Sequence, residues 1–262
     1  STQAKTLFPY TTLFRSNEYG MSRFFAPIEL TVGQTVGLPE SVFHHWVRVL
    51  RAQVGDQATL FNGKGGEFLV NLAAIEKKTA HVDVTSFDPI NRTPATQVTL
   101  GQVMSKGDRM DYAIQKATEL GVYQIQLLIS ERCEMRLKYE RDQKKIEHWQ
   151  QVAIAACEQC GMNRVPQILA PLSLEDWLQT VDQPRRLVMS LSSQPLQPDF
   201  NDQRPVCLLV GPEGGLCENE LLRCEQAGFV RWQLGQRVLR TETAPIVGLA
   251  YLTACDSFAE QI

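Results

Sequence analysis

Val206-Cys207-Leu208-Leu209-Val210 runs directly into Gly211-Pro212-Glu213-Gly214-Gly215. Five apolar residues without alternation are what a strand shows when both faces of a parallel sheet are covered. A glycine-rich turn at the carboxyl end of such a strand lets bare backbone approach a ligand, and open α/β sheets bind ligands at that edge. A plain tight turn fits the same residues, so this stretch decides the fold class before it decides the chemistry.

Outward from that strand, strands and helices alternate. Val98 to Met104 reads as a strand. Asp108 caps a helix whose apolar positions Met110, Ala113, Ile114, Ala117 and Leu120 share one face and which ends at Gly121. Ile125 to Ile129 is a buried strand, Tyr139 to Cys160 a long helix stopped by Gly161, and Ser173 caps a short helix through Trp177. Leu187-Val188-Met189 is another apolar strand. Glu218 to Ala227 is a helix ended by Gly228, Arg231 to Leu234 a strand, and Glu242 to about Ala259 the last helix. Repeated β-α units predict an α/β fold, a parallel sheet with helices on both sides.

The pattern differs upstream. Pro39 suits the first turn of a helix running to Leu50, and Gly55-Asp56 turns the chain. Ala58 to Phe61 and Glu67 to Leu72 flank Asn62-Gly63-Lys64-Gly65-Gly66 as a β-hairpin. His81 to Thr85 alternates like a half-buried strand. We therefore expect a small β-rich domain over 21–88, a linker over 89–96 carrying Pro89 and Pro94, and the α/β domain over 97–262. Residues 1–20 show no clear helical period and no signal-peptide pattern, and Met21 opens MSRFFAP. We expect them to be an expression leftover outside the fold.

Composition narrows the classes. Charged residues are 21% and hydrophobic residues 44%, which excludes disorder over most of the length. No stretch approaches ~18 consecutive apolar residues, so no membrane span is expected. With 26 Lys+Arg against 29 Asp+Glu, the chain is not basic, and a nucleic acid would have to be held by a local patch. The densest cluster, Arg132, Arg136, Lys138, Arg141, Lys144 and Lys145, is interleaved with Glu131, Glu134, Glu140 and Asp142 and reads better as a solvated helical face. The seven cysteines are odd in number and include one lone C-x-x-C, Cys157 and Cys160. They read as reduced thiols of a cytoplasmic protein, with no metal site. The dinucleotide fingerprint, the Walker A loop, the G-x-S-x-G elbow and H-E-x-x-H are all missing from the sequence.

A second segment, Leu234-Gly235-Gln236-Arg237-Val238-Leu239-Arg240-Thr241-Glu242-Thr243-Ala244-Pro245, leaves the last strand and enters the last helix. Two glycine-containing strand-to-helix turns at strand carboxyl ends favour one shared pocket. Together, G-P-E-G-G and L-G-x-R-V-L-R-T-E-T-A resemble the ribosomal RNA small-subunit methyltransferase E family, within the SPOUT class of S-adenosylmethionine-dependent RNA methyltransferases. Gln115 to Val122, Glu158-Gln159-Cys160-Gly161 with Asn163-Arg164-Val165-Pro166, Arg23-Phe24-Phe25, and His44-His45 with Arg48-Val49-Leu50-Arg51 carry the same resemblance. It spans 22–260. One departure is Met162, where the family usually has Arg.

The resemblance implies a PUA-like β-barrel before a parallel-sheet SPOUT domain with a trefoil knot. It also implies a homodimer with composite active sites. The activity implied is methylation of N3 of one uridine in 16S rRNA, as free RNA or within the small ribosomal subunit, with S-adenosyl-L-methionine as cofactor. The implied cofactor residues are Leu191, Gly211, Glu213, Gly214, Gly215, Leu234, Gly235, Val238, Leu239, Thr243 and Ala244. His45, Arg48, Arg51, Lys64 and Arg164 are the expected RNA contacts; alternatively Trp46 and Val49 are core and the charges merely flank them. Arg240 or Arg23 could stabilise the anion formed as the N3 proton leaves. Glu242 is a candidate base, or an ordinary carboxylate at the start of the last helix. Two other readings stay open: a SPOUT ribose 2′-O-methyltransferase, and a non-catalytic RNA-binding protein of the same fold.

Overall fold

The computed structural model describes residues 21–133, 135, 139–191 and 202–254. The expected leftover 1–20, Arg136 and Lys138 of the basic cluster, and the last helix beyond 254 lie outside the described residues. The chain forms two compact units. The first holds the amino-terminal region to Arg92 together with Cys157–Arg164, and the second holds Thr93–Ala156 with the chain from Val165 on. The division between Arg92 and Thr93 falls inside the segment expected as the linker, and the segment 157–164 groups with the first unit.

In the first unit five strands pair in the order β1-β3-β4-β5-β2: β1 Ser22–Phe25, β2 Thr35–Gly37, β3 Gln57–Phe61, β4 Glu67–Ile75 and β5 Ala80–Asp88. β3 and β4 form the expected hairpin, with Leu60 opposite Phe68. Along β4, Phe68, Val70 and Leu72 point inward, the period-2 pattern of a half-buried strand. Gly66 closes the hairpin turn at φ +67°, and a Cβ there would drive into the Phe87 ring. The helix after Pro39 starts as α1 Glu40–Val42 and widens into a π-helix over Phe43–Val49. Its buried side is Phe43, Trp46 and Val47, so Trp46 is core while Val49 is exposed. Arg51 leaves this helix at φ +59°, a left-handed position usually taken by glycine.

The second unit is a six-stranded all-parallel sheet in the order β11-β9-β10-β6-β7-β8. Its strands are β6 Val98–Val103, β7 Gln124–Ile129, β8 Gln167–Ser173, β9 Arg185–Met189, β10 Val206–Val210 and β11 Val230–Trp232. β6 and β10 lie at the centre and every residue in both is buried, which is why β10 reads as unbroken apolar sequence. Gly101 lets the Trp177 ring lie on the sheet where a Cβ would collide with it. β8 was not anticipated. It carries Pro171, and a proline is tolerated because β8 is the edge strand.

The helices are α2 Arg109–Glu119, α3 Tyr139–Cys160, α4 Leu174–Leu178, α5 Glu218–Gln226 and α6 Ala244–Ala254. α2 buries Met110, Ala113, Ile114 and Ala117, as its spacing predicts. Asp108 occupies the N-cap position but accepts no cap bond from its side chain, because its own backbone is already helical. Ser173 does cap α4, accepting from the Asp176 N–H at 3.0 Å. Two boundaries beside the cavity move by two residues each. β11 ends at Trp232 rather than Leu234, and α6 begins at Ala244 rather than Glu242, with Pro245 in its first turn. Both shifts lengthen the connection between β11 and α6. Among the described residues no helix is long and apolar enough to cross a membrane.

Candidate active site

The carboxyl ends of β9, β10 and β11 meet around a cavity of about 340 Å³, within the usual size range of small-molecule sites. All of the residues implied as cofactor contacts line it except Thr243. Met189, Ser190, Pro212, Leu216, Trp232, Arg237 and Thr241 line it too. Pro212, Arg237 and Thr241 lie inside the two quoted motifs without having been singled out, whereas Met189, Ser190, Leu216 and Trp232 carry no motif signal at all.

The turn after β10 is closed by the Gly215 N–H donating to the Pro212 carbonyl at 2.9 Å. Gly215 sits at φ +69° and Gly235, in the opposite turn, at φ +76°. These are left-handed conformations that other residues adopt at a cost. Gly211 is crowded for a different reason: a Cβ there would stand 3.2 Å from the Leu216 backbone nitrogen, so that turn would have to give way slightly. Two arginines brace this turn. Arg109, at the start of α2, donates from Nη1 to Glu213 Oε1 at 2.6 Å, and Arg132 donates from Nη1 to the Gly214 carbonyl at 2.9 Å. Arg132 is thereby taken out of the solvated cluster in which the sequence placed it. At the start of α5 the buried Glu220 carboxylate accepts from the Cys217 N–H at 2.9 Å and from the Glu131 N–H at 2.8 Å, which anchors the far end of the turn.

The second turn is held to the first. Thr241 Oγ1 donates to the Gly211 carbonyl at 2.8 Å. The Thr243 and Ala244 N–H groups both donate to the Arg240 carbonyl at 2.9 Å and start the last helix. Arg240 and Glu242 flank Thr241. Their side chains stand 4.0 Å apart, Arg240 80% exposed and Glu242 16%. Neither lines the cavity; both are sequence neighbours of Thr241, which does. Trp232, which does line it, has a buried Nε1–H with no hydrogen-bond partner among the described residues.

Arg23, the other candidate for the anion clamp, makes its bonds within the first unit. Its side chain is buried in the first unit, where Nε donates to Glu67 Oε2 at 3.3 Å, Nη1 to the Cys157 carbonyl at 2.7 Å, and Nη2 to the Met162 carbonyl at 3.0 Å and to Asn163 Oδ1. The guanidinium also lies 3.9 Å from the centre of the Phe61 ring. Burial lowers its pKa and Glu67 opposes that. Met162, standing where the family usually has Arg, is buried and offers its carbonyl to this cluster. Cys157 belongs to it as well. Its Sγ faces the Arg164 carbonyl at 3.6 Å, and burial pushes the thiol up to about 12, as expected of a cysteine in apolar surroundings.

The expected RNA contacts His45, Arg48, Arg51, Lys64 and Arg164 are all exposed and all belong to the first unit. Arg48 donates to the Lys77 carbonyl and lies over Phe43, the His45 ring packs edge-on against Phe24, and Lys64 pairs with Glu29.

Residues 91–253 match the family model of an RNA methyltransferase domain, and residues 38–85 match that of an RNA methyltransferase PUA domain. The chain is 33% identical to a ribosomal RNA small subunit methyltransferase E of Buchnera aphidicola, over 88% of this chain and 94% of that one. It is 30% identical to the Bacillus subtilis protein of the same name, over 89% and 96%. A crystal structure of a ribosomal RNA small subunit methyltransferase E from Neisseria gonorrhoeae bound to S-adenosyl methionine superposes with a TM-score of 0.83 at 38% identity, covering 89% of this chain and 97% of that one. With both units matched and the likeness running along nearly the whole of these relatives, the chain belongs to the ribosomal RNA small-subunit methyltransferase E family.

Proposed function

We propose that this protein transfers a methyl group from S-adenosylmethionine to N3 of a uridine in 16S rRNA, with the turns 211–215 and 234–244 as the cofactor cradle. The observation that carries this reading is the cavity at three strand ends, enclosed by two glycine-containing turns that Thr241 ties together. Its lining suits the cofactor. Leu191, Leu234, Val238 and Leu239 offer apolar surface to a purine, the glycine turns bring backbone polar groups close, and Glu213 places a carboxylate beside a cationic ligand. Trp232 adds a buried donor that no described residue uses.

When bound, S-adenosylmethionine supplies a methyl group already activated by its sulfonium. The protein's own residues have two tasks: to take the N3 proton, and to hold the charge left on the uracil oxygens. Glu242, partly shielded from water, is the proposed proton acceptor. Arg240 cannot act as a base because it stays protonated. It is the proposed clamp on the oxygens, worth most where donors are positioned in advance. His45, Arg48, Arg51, Lys64 and Arg164 are proposed to contact RNA phosphates, which position a substrate rather than read its sequence.

Assembly as a homodimer, action in the cytoplasm on the small ribosomal subunit or its RNA, and the trefoil knot belong to the same proposal. What supports the knot is the strand order, in which β10 enters between two strands that precede it. The test is to incubate the purified protein with 16S rRNA and S-adenosylmethionine and identify the modified nucleoside. 3-Methyluridine is expected. A 2′-O-methylated nucleoside overturns the position of attack, and cofactor binding without any methylated product overturns the activity.

A further inference from the structure

Gln102, at the carboxyl end of β6, is 1% exposed. Its Nε2 donates to its neighbour's carbonyl, Val103, at 3.0 Å and to Thr241 Oγ1 at 3.2 Å. The direction of each bond is forced. The Gly211 carbonyl can only accept, so the Thr241 hydroxyl must give it its single proton. That hydroxyl can then only accept from Gln102, which sets the amide's orientation. Both Nε2 hydrogens are used, and Oε1 is left buried with no partner among the described residues. An apolar side chain of similar length would avoid that orphan, which an isolated core position disfavours. What the amide provides instead is a chain of donors from β6 through Thr241 to Gly211, joining segments 139 and 30 residues apart.

We propose that Gln102 is a positioning residue for methyl transfer: acting through Thr241, it sets the Arg240–Glu242 turn in register with the Gly211 turn. This rests on the proposed assignment of Arg240 and Glu242 to the chemistry. Gln102 does not itself line the cavity and reaches its wall through the Thr241 hydroxyl, so its effect should fall on turnover more than on cofactor affinity.

The experiment uses the full chain, with 16S rRNA and S-adenosylmethionine. Gln102→Met removes both donors and the orphan oxygen together. We expect a melting temperature equal to or above that of the unmodified protein, S-adenosylmethionine affinity within about threefold, rRNA KM little changed, and kcat lower by about ten- to a hundredfold, part of the loss seen when a whole charge-stabilising donor is removed. Thr241→Val should reproduce that split, Thr241→Ser should restore most of kcat by returning the hydroxyl, and the Gln102→Met/Thr241→Val pair should be no slower than Thr241→Val alone. A Gln102→Met enzyme with unaltered kcat overturns the proposal. So does a kcat loss that merely follows a fall in melting temperature, or a Thr241→Ser enzyme as slow as Thr241→Val. Arg240→Ala and Glu242→Gln run alongside: full rates in both sink the site assignment itself, whereas slow rates in both beside a normal Gln102→Met sink only the positioning role. Should Gln102→Met fail to fold, the Thr241 pair decides the question.

Discussion

Arg23 Nη1 donates to the carbonyl of Cys157 at 2.7 Å, across 134 residues of sequence. One guanidinium on β1 thus receives the last turn of α3 and the loop behind it, because the Met162 carbonyl and Asn163 Oδ1 take its other nitrogen. Removing the side chain leaves three acceptors and the partly buried Glu67 to be satisfied by Arg92 and water. Arg23→Ala should cost about 3–5 kcal/mol, the scale of breaking a buried charged pair. Arg23→Lys should recover little, since one ammonium cannot span the same acceptors. Urea unfolding of the three proteins checks this; a normally stable Arg23→Ala with a depressed kcat returns the residue to the catalytic role.

The glycines of the cavity should separate by backbone conformation. Gly215 and Gly235 are left-handed, while Gly214 is not, and a Cβ on Gly214 would meet Arg132 Cδ at an ordinary 3.5 Å. Gly235→Val should lose about 1–2 kcal/mol or more of stability along with cofactor binding. Gly214→Ala should melt normally, so that any loss of affinity in calorimetry reports the approach of the ligand alone. Equal destabilisation by both substitutions contradicts this division.

Arg240 is too exposed to matter for folding. Arg240→Ala should melt like the unmodified protein and lower kcat by about ten- to a thousandfold. Glu242→Gln keeps the shape and removes the base. Its turnover should collapse at neutral pH and recover in part as pH rises and the uracil imide ionises unaided. A pH–rate profile parallel to that of the unmodified enzyme assigns Glu242 to the helix start instead.

Glu158 gives a stability prediction with a fixed sign. Burial raises its pKa above the ordinary carboxylate value, outweighing the Phe25 N–H at 3.0 Å and the charges of His45 and Arg23. The folded state then holds the proton more tightly than the unfolded chain, so this group's contribution declines as pH rises through the raised value. Glu158→Gln keeps the acceptor for Phe25 and removes the buried charge. It should raise the melting temperature at pH 7.5, with the gain shrinking toward zero near pH 4. A gain that grows on acidification reverses the assignment.

Much of the candidate site was legible in residue order. Leu234, Gly235, Val238, Leu239 and Ala244 were placed beside Gly211, Glu213, Gly214 and Gly215 from turn chemistry and family resemblance, and they surround one cavity. The bonds of Arg23 are not legible in the sequence, because an arginine near an amino terminus carries no sign of which acceptors its donors meet. Nothing local to the C-x-x-C of Cys157 and Cys160 shows that its segment packs with the first unit.

The sequence by itself determined what depends on near neighbours: the apolar runs of β6 and β10, the amphipathic face of α2, the β3–β4 hairpin, and the glycines that open both turns. Tertiary structure decided which donor meets which acceptor. Gln102 is one polar residue within a buried strand, Arg109 and Arg132 look like ordinary surface charges, and Thr241 is one of two threonines ahead of the last helix. Each acquires its role only when the sheet sets β6 beside β10 and brings the 211 and 241 turns together. Hydrogen bonds are short-ranged and directional, so a partner 30 or 139 residues away is chosen by topology and leaves no period in the chain.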